Sequence, residues 1–454
     1  MSDIEDELLT LAQQYSFRGR IDKASFSGPI FASAKGSVVT DVRGKEYLDF
    51  NSGQACAALG HNHPRIVEAI HEACATMLHS HSSIYNIQEI RLAAKLAEFM
   101  PYPLRKSLFG ESGSDANELG ILVARLFTGG RDVFSPHVSY HGLSSGSRSV
   151  TFAGWRRDQG PLSSDSHAIL APYCYRCPLA TTFPACDFAC LKTSFELVDA
   201  QSSAQPAAVI TEPLFSAGGV IDPPLGWLSR LRDLCKSRDM LLILDEEQTG
   251  LGKLGTMFGF ERDDVIPDIV TLAKHFGGGV GVSAMTTSTE IEEKVFEAGL
   301  TVTRSHSNDP LLCAAGLASL ELVEAEDAPA RSRTIGDYLL AQLRLLSEEF
   351  EIIGDVRGRG ILTGIELVID RTTREPAYQA GQEITQHCLT HGLIFSSRRN
   401  GSVLRFMPPT TTTSAQIDQA MQILRDALTL TSARSTASRS PARTSTNTNT
   451  NTNT

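Results

Sequence analysis

Residues 240–250 read MLLILDEEQTG, and residues 269–279 read IVTLAKHFGGG. Each stretch opens on a continuous apolar run and breaks at once into charged residues or glycine. A strand that alternates apolar and polar residues is covered on one face only. A short unbroken apolar run is what a strand buried on both faces requires. Residues 207–211, AAVIT, repeat the pattern and are followed by Glu212. Between residues 207–211 and 240–250 lies Leu225–Arg238, which reads as a helix after a Pro-Pro-Leu-Gly turn. Strand, helix and strand in succession imply right-handed crossovers and a mostly parallel sheet, hence the α/β class. In such sheets ligands sit beyond the carboxyl ends of the strands. Glu212, Asp245 and Lys274 fall at those ends, which makes them the first candidates for a site.

The chain has 454 residues, 41% of them apolar and 20% charged, enough for a sizeable core with more than one lobe. The formal net charge is −11 and the acids are scattered, which argues against a nucleic-acid or anionic-membrane surface. The opening MSDIEDELLTLAQQYSF has early acids and no apolar core of signal-peptide length, and no run approaches the ~20 apolar residues of a membrane helix. A cytoplasmic location is expected. Nine cysteines in a chain of this length do not suggest a disulfide framework.

Residues 59–322 are expected to form a large domain. A smaller α+β domain is expected from both chain ends, residues 1–58 and 323–431. In the first piece, residues 38–50 (VVTDVRGKEYLDF) resemble a hairpin turning at Arg-Gly. In the second, IGDVRGRGILTGIELVID alternates strand-like runs with glycines. Residues 432–454, rich in Ser, Thr and Asn, are expected to be a disordered tail.

Several residue types together suit pyridoxal 5'-phosphate (PLP), which needs a lysine, an acid facing its pyridine nitrogen, a phosphate cradle and a stacking group. Lys274 is the candidate anchor, since burial can free its amine for covalent chemistry. Asp245 is the candidate partner of the ring nitrogen, and Gln248 of the phenolic oxygen. Gly113 and Ser114, in FGESGSDANE, precede a helix expected to begin near Asp115, where N–H groups suit a phosphate. Tyr140, before His141 and Gly142, offers an aromatic face. Read singly, each has a plainer alternative: a solvated lysine, a capping Asp or Ser, a packed aromatic.

Together these stretches resemble the class III aminotransferase family of PLP fold type I. The matching segments are FGESGSDANE, YHG, TEP, DEEQTGLGKLG and LAKHFGGG, in that order, and the likeness runs from about residue 25 to 430. The resemblance implies a fold-type-I architecture and cofactor-binding positions at Gly113, Ser114, Tyr140, His141, Glu212, Asp245, Gln248, Lys274 and Ser305. Ser305 matches a threonine that reaches the phosphate of the other subunit, so a homodimer or a dimer of dimers is implied. Arg405, in VLRFMPP, matches the arginine that binds a substrate carboxylate.

Four further stretches resemble the 2,2-dialkylglycine decarboxylase branch: LDFNSGQACAALGHNHP, QTGLGKLGTMF, SHSNDP and residues 353–377. That resemblance implies decarboxylation followed by amino transfer to a 2-oxo acid such as pyruvate. Gln54 is its discriminating residue, holding the substrate carboxylate perpendicular to the ring without over-stabilising the ground state. It also implies an alkali ion, K+ or Na+, at Ser80, Ser82, Ser305, Ser307 and Asp309. In an extended segment, residues 305, 307 and 309 would share a face. Four positions depart from the pattern: Arg304 where a small hydroxyl residue is expected, Ala217 for serine, Tyr140 for tryptophan, and Glu247 for Val or Ala. An ordinary class III aminotransferase is therefore the alternative reading. Outside both schemes, Cys174, Cys177, Cys186 and Cys190 form C-x2-C-x8-C-x3-C, a loose zinc-like spacing set against free thiols.

Overall fold

Strand Leu241–Asp245 shows how the large domain is built. Leu242 and Leu244 belong to one buried cluster, while Leu241 and Ile243 belong to another on the opposite face. Strand Ile269–Leu272 divides in the same way, with Val270 and Leu272 on one side and Ile269 on the other. Both faces are therefore covered, as the unbroken apolar runs require. A computed structural model of the chain describes residues 2–16, 29–154, 160–202 and 205–439.

The large sheet has seven strands. In spatial order they are Leu104–Gly110, Ser283–Ser288, Ile269–Leu272, Leu241–Asp245, Pro206–Thr211, Asp132–Pro136 and Ser166–Ile169. Only Ser283–Ser288 runs against its neighbours. Helix Gly113–Thr128 lies across five of these strands. At Gly120 an added Cβ would meet Ile243, Ile269 and Thr271 at 3.5–3.6 Å, so the helix sits low on the sheet. Helix Trp227–Lys236 fills the expected crossover.

The two chain ends meet in a second region. Val38–Asp41 and Glu46–Asp49 form the expected hairpin, with Gly44 in the left-handed conformation at its turn. Leu393–Ile394 adds to it in parallel, pairing Leu393 with Leu48. Ile353–Arg359 and Leu362–Asp370 form a second hairpin, continued by Val403–Phe406 and Ser396–Arg398. Leu48 and Phe50 from the start of the chain share one buried cluster with Leu339, Ile384 and Leu424 from its end.

Two expectations change. The helix over the phosphate candidates begins at Gly113, not near Asp115, because Ser112 caps it by accepting the Asp115 N–H at 3.3 Å. The final helix runs Ser414–Arg439 and so enters the stretch expected as a disordered tail. Residues 440–454 lie outside the described residues. The apolar positions Ile417, Met421, Leu424 and Leu428 anchor this helix at helical spacing, and it continues past them.

Candidate active site

Three strand ends deliver the central residues. Asp245 closes its strand, Glu212 follows Pro206–Thr211, and Lys274 lies two residues past Leu272 in the left-handed conformation, at φ 59°. Such backbone in a non-glycine residue costs energy and is held only by its surroundings.

Asp245 is buried. Its Oδ2 receives His141 Nδ1 at 2.8 Å and the Asn117 amide at 2.9 Å, and its Oδ1 accepts the Glu247 N–H at 3.1 Å. Burial alone raises the Asp245 carboxyl, but the hydrogen bond and charge of His141, aided by Lys274, outweigh it and hold the group below the usual range. His141 reaches Ser135 Oγ through its other ring nitrogen at 3.1 Å. The structure therefore joins Asp245 and His141 into one relay.

Lys274 Nζ donates to Glu247 Oε2 at 2.6 Å, and its side chain is 19% exposed. Burial depresses the ammonium, yet the charges of Glu247 and Asp245 reverse this and raise it overall. Glu247 is pushed up by burial first and then by Asp245, with Lys274 pulling it back. Asn117 Nδ2 serves three acceptors with two hydrogens: His141 O at 2.9 Å, Asp245 Oδ2 at 2.9 Å and Glu247 Oε1 at 3.0 Å. Its Oδ1 accepts from Thr271 Oγ1 at 2.7 Å.

The helix N-terminus faces this group. A Cβ on Gly113 would stand 2.0 Å from Glu247 Oε1, so glycine alone leaves room there for the carboxylate. Gly142 is similarly constrained, by Ser114 Oγ at 2.2 Å from its would-be Cβ. The Glu247 carboxyl stands beside Gly113 in this structure, and the small residues Gly113 and Ser114 at the helix N-terminus, with Asp245 beyond, fit a phosphorylated cofactor whose ring nitrogen Asp245 would hold protonated. Glu212 plays a supporting part. It accepts the Tyr140 and Ser216 N–H groups at 3.1 Å each, and burial lifts its carboxyl to about 7.

Gln248 does not stand alone. Its Oε1 accepts from Ser216 Oγ and Arg405 Nη1, both at 2.9 Å, which ties Gln248 to Arg405. Arg405 is 2% exposed and also donates to Ser216 Oγ at 2.8 Å, Ser396 Oγ at 2.9 Å and Asn51 Oδ1 at 3.3 Å. Every partner is neutral. Among the described residues no carboxylate pairs with it, and burial followed by the like charge of Arg398 drives its pKa well down. Arg398 shares the sheet face, since Ser396 pairs with Arg405 and Arg398 with Val403. Its Nε is buried with no partner.

Gln54 sits in a short turn, Ser52–Ala55, that contacts the Lys274–Gly277 segment. It is exposed, at φ 65° and ψ 42°. Ser305 is exposed too and lies in a turn over residues 305–308, with Asn308 at φ 60°. Residues 305, 307 and 309 therefore do not form the extended, one-faced segment that the alkali-ion expectation used. Asp309 instead engages His79 and His306, and Ser80 reaches it through its backbone N–H at 3.3 Å. Ser82 is half-buried and Ser307 buried.

Sequence reasoning passed over Asn117, Ser216, Asn51 and Lys253. Asn117 carried a signal, lying one helical turn after Gly113 and so on the same face. Lys253 is buried between Glu247 O and His275 Nδ1, 2.8 Å from each; burial and the charge of Lys274 drive its pKa far down. The four clustered cysteines are free and line one cavity of about 20 Å³.

Comparison with known proteins agrees with this geometry. The family model for aminotransferase class III matches residues 25–428. An uncharacterized aminotransferase of Schizosaccharomyces pombe is 36% identical over 417 residues, covering 91% of this chain and 93% of its own. A leucine/methionine racemase of Thermococcus litoralis is 34% identical, covering 90% and 92%. A Bacillus anthracis aminotransferase structure superposes with a TM-score of 0.89 at 30% identity, covering 95% and 99%. An amine transaminase from an uncultivated Pseudomonas species, in its PLP-bound form, does so at 0.87 and 29%, covering 91% and 98%.

Proposed function

Starting from a chain that belongs to the class III aminotransferase family and is a PLP-dependent enzyme of fold type I, we propose that it transfers an amino group between an α-amino acid and a 2-oxo acid, with Arg405 as the carboxylate receptor. One observation carries this reading: Arg405 is buried with four neutral partners and no carboxylate. A buried guanidinium is costly unless an anion completes it. A substrate carboxylate supplies that anion, and the bonds already made to Ser216, Ser396, Gln248 and Asn51 hold the guanidinium ready.

When bound, PLP supplies the electron sink for breaking a bond at the substrate's α-carbon. The protein's own groups do the rest. Lys274 anchors the cofactor and moves the proton at the α-carbon, and Asp245 keeps negative charge at the ring nitrogen. Gly113 and Ser114 cradle the phosphate, and Tyr140 covers a ring face. His141 orients Asp245, and Glu212 fixes the Tyr140 and Ser216 backbones. The proposal extends to a cytoplasmic homodimer in which Ser305 reaches the partner subunit's phosphate, and to domain bounds at residues 58, 322 and 431. No helix among the described residues is long and apolar enough to cross a membrane.

A narrower reading, decarboxylation of a 2,2-dialkylglycine before transfer to a pyruvate-like acceptor, rests on Gln54. What favours it is the left-handed backbone that sets Gln54 in a turn against the Lys274 segment. Incubation with 2-aminoisobutyrate and pyruvate, measuring CO2, acetone and alanine, separates the two. CO2 with acetone and alanine, suppressed by Gln54→Ala far more than transamination of L-alanine, supports decarboxylation. Alanine formed only from ordinary amino acids leaves plain aminotransfer.

A further inference from the structure

The loop before helix Pro310–Ala325 meets the segment around His79, and their side chains converge on one carboxylate. Asp309 is 5% exposed. His79 Nδ1 lies 2.6 Å from its Oδ1, and His306 Nδ1 lies 2.5 Å from its Oδ2. The two imidazole rings are 5.0 Å apart between centroids, and all three ligand-type atoms lie within 4.8 Å of one another. Among the described residues, no other trio of His, Cys, Asp or Glu meets that spacing, and the four clustered cysteines do not.

We propose that His79, His306 and Asp309 form a binding site for a divalent transition-metal ion of the zinc class. Two imidazole nitrogens and one carboxylate are the donors that Zn2+, Co2+ and Ni2+ favour, whereas K+ and Na+ favour shells of hard oxygens. The expected oxygen set is also not assembled, because Ser80 presents its N–H, not its hydroxyl, to Asp309. Arg304, two residues from His306, carries a charge that would repel a cation if it faced this group. It turns away to pair with Asp115 at 3.3 Å, and no Lys or Arg among the described residues pairs with Asp309.

The protonation chemistry is simple. Each Nδ1 can donate to Asp309 only while it carries the ring proton. Both side chains are more than half exposed, at 53% and 55%, so water can move that proton to Nε2. Each Nδ1 is then a lone-pair donor, and any second proton on a ring leaves to water as the metal binds. The metal replaces two hydrogen bonds to Asp309 with three coordinate bonds, leaving at least one position for water. Ser307, between His306 and Asp309 in sequence, is buried and its Oγ has no partner. The loop also carries Ser305, so the ion and the proposed phosphate contact share one short segment.

The test uses EDTA-treated, dialysed holoenzyme. Titration with ZnCl2 in 100 mM KCl, followed by equilibrium dialysis and elemental analysis, should give one zinc per chain. His79→Ala and His306→Ala should each weaken binding at least about tenfold, some 1.4 kcal/mol. Co2+ should give visible d–d bands that both substitutions remove. Both rings are surface groups, so the variants should fold, and an unchanged melting temperature checks this. Undiminished zinc stoichiometry in the double His variant would overturn the site, as would no binding by wild type. A potassium-stimulated rate that survives in the double variant would also overturn it, in favour of an oxygen-lined alkali site.

Discussion

Arg405→Met isolates the proposed carboxylate receptor from the rest of the site. Methionine keeps the apolar stem between the buried neighbours Leu404 and Phe406 but removes the guanidinium. A bidentate arginine–carboxylate contact comprises two charge-assisted hydrogen bonds, each about 1.5–3 kcal/mol in mutational series. Some of that is returned when water solvates the freed carboxylate, so we take about 3 kcal/mol as the net loss, roughly 150-fold in kcat/KM. Stability should suffer less. Ser216 Oγ keeps Gln248 as a partner at 2.9 Å, and Ser396 and Asn51 are partly exposed, so water can replace the guanidinium for both. Removing a buried cation that has no counter-ion offsets the rest. The assay compares kcat/KM for an α-amino acid with that for a carboxylate-free primary amine, in both enzymes. The amino acid should lose about two orders of magnitude and the amine little. Equal losses would show that Arg405 supports the fold and binds no carboxylate; a loss below about tenfold for the amino acid would refute the assignment outright.

Lys274→Ala should abolish turnover and the visible band, near about 410–430 nm, of lysine-bound cofactor; a variant that kept either would remove Lys274 from its role. Asp245→Asn should retain cofactor but slow α-proton removal by more than about tenfold, or ~1.4 kcal/mol, measured as single-turnover rates; a smaller effect would reassign Asp245 to structure. Glu246 gives a pH-dependent prediction. Burial lifts its carboxyl from 4.5 to about 7, so between those values the folded chain binds more protons than the unfolded one and stability falls as pH rises. That contribution, at most about 3 kcal/mol from the shift, is present at pH 4 and gone by pH 8. Glu246→Gln should therefore raise the melting temperature relative to wild type at pH 8 and not at pH 4.5, provided the Thr249 and Phe260 bonds survive; an equal shift at both would show that the proton is not the cause.

The strands and their polar ends were legible because both are local. MLLIL and IVTLA need two covered faces, and the residue after such a run must emerge at the sheet's rim. The pairing of Leu48 with Leu393 was legible only as an expectation that both chain ends share a lobe, since register across so many residues leaves no local trace. The turn at 305–308 was misjudged for a similar reason. Alternate hydroxyls suggest an extended segment, but Asn308 accepts a positive φ, its Oδ1 receives the Phe109 N–H at 2.9 Å, and that long-range bond settles the backbone. His79 was invisible because the partner that gives it meaning, Asp309, lies 230 residues away.

Glu247 shows how a departure from a family pattern becomes readable once neighbours are known. Two buried carboxylates, Asp245 and Glu247, share the Asn117 amide, and like charges this close resist simultaneous ionisation. The environment separates them. His141 holds Asp245 down, while burial and Asp245 itself push Glu247 up. His141 thus favours the ionised form of Asp245, as its proposed role beside a ring nitrogen requires, and Glu247 is the member of the pair more readily protonated. Its present counter-ion is Lys274, at 2.6 Å. Were that amine committed to a cofactor, as proposed, it would no longer be a free ammonium donating to Glu247, so the support for an ionised Glu247 would weaken and proton uptake there would be favoured. A valine or alanine at 247 can do none of this. The substitution Glu247→Val should therefore change the pH dependence of cofactor binding to the apoenzyme, followed by the rise of its visible band, more than it changes the final occupancy. An unchanged pH profile would leave Glu247 as no more than a counter-ion of the unloaded site.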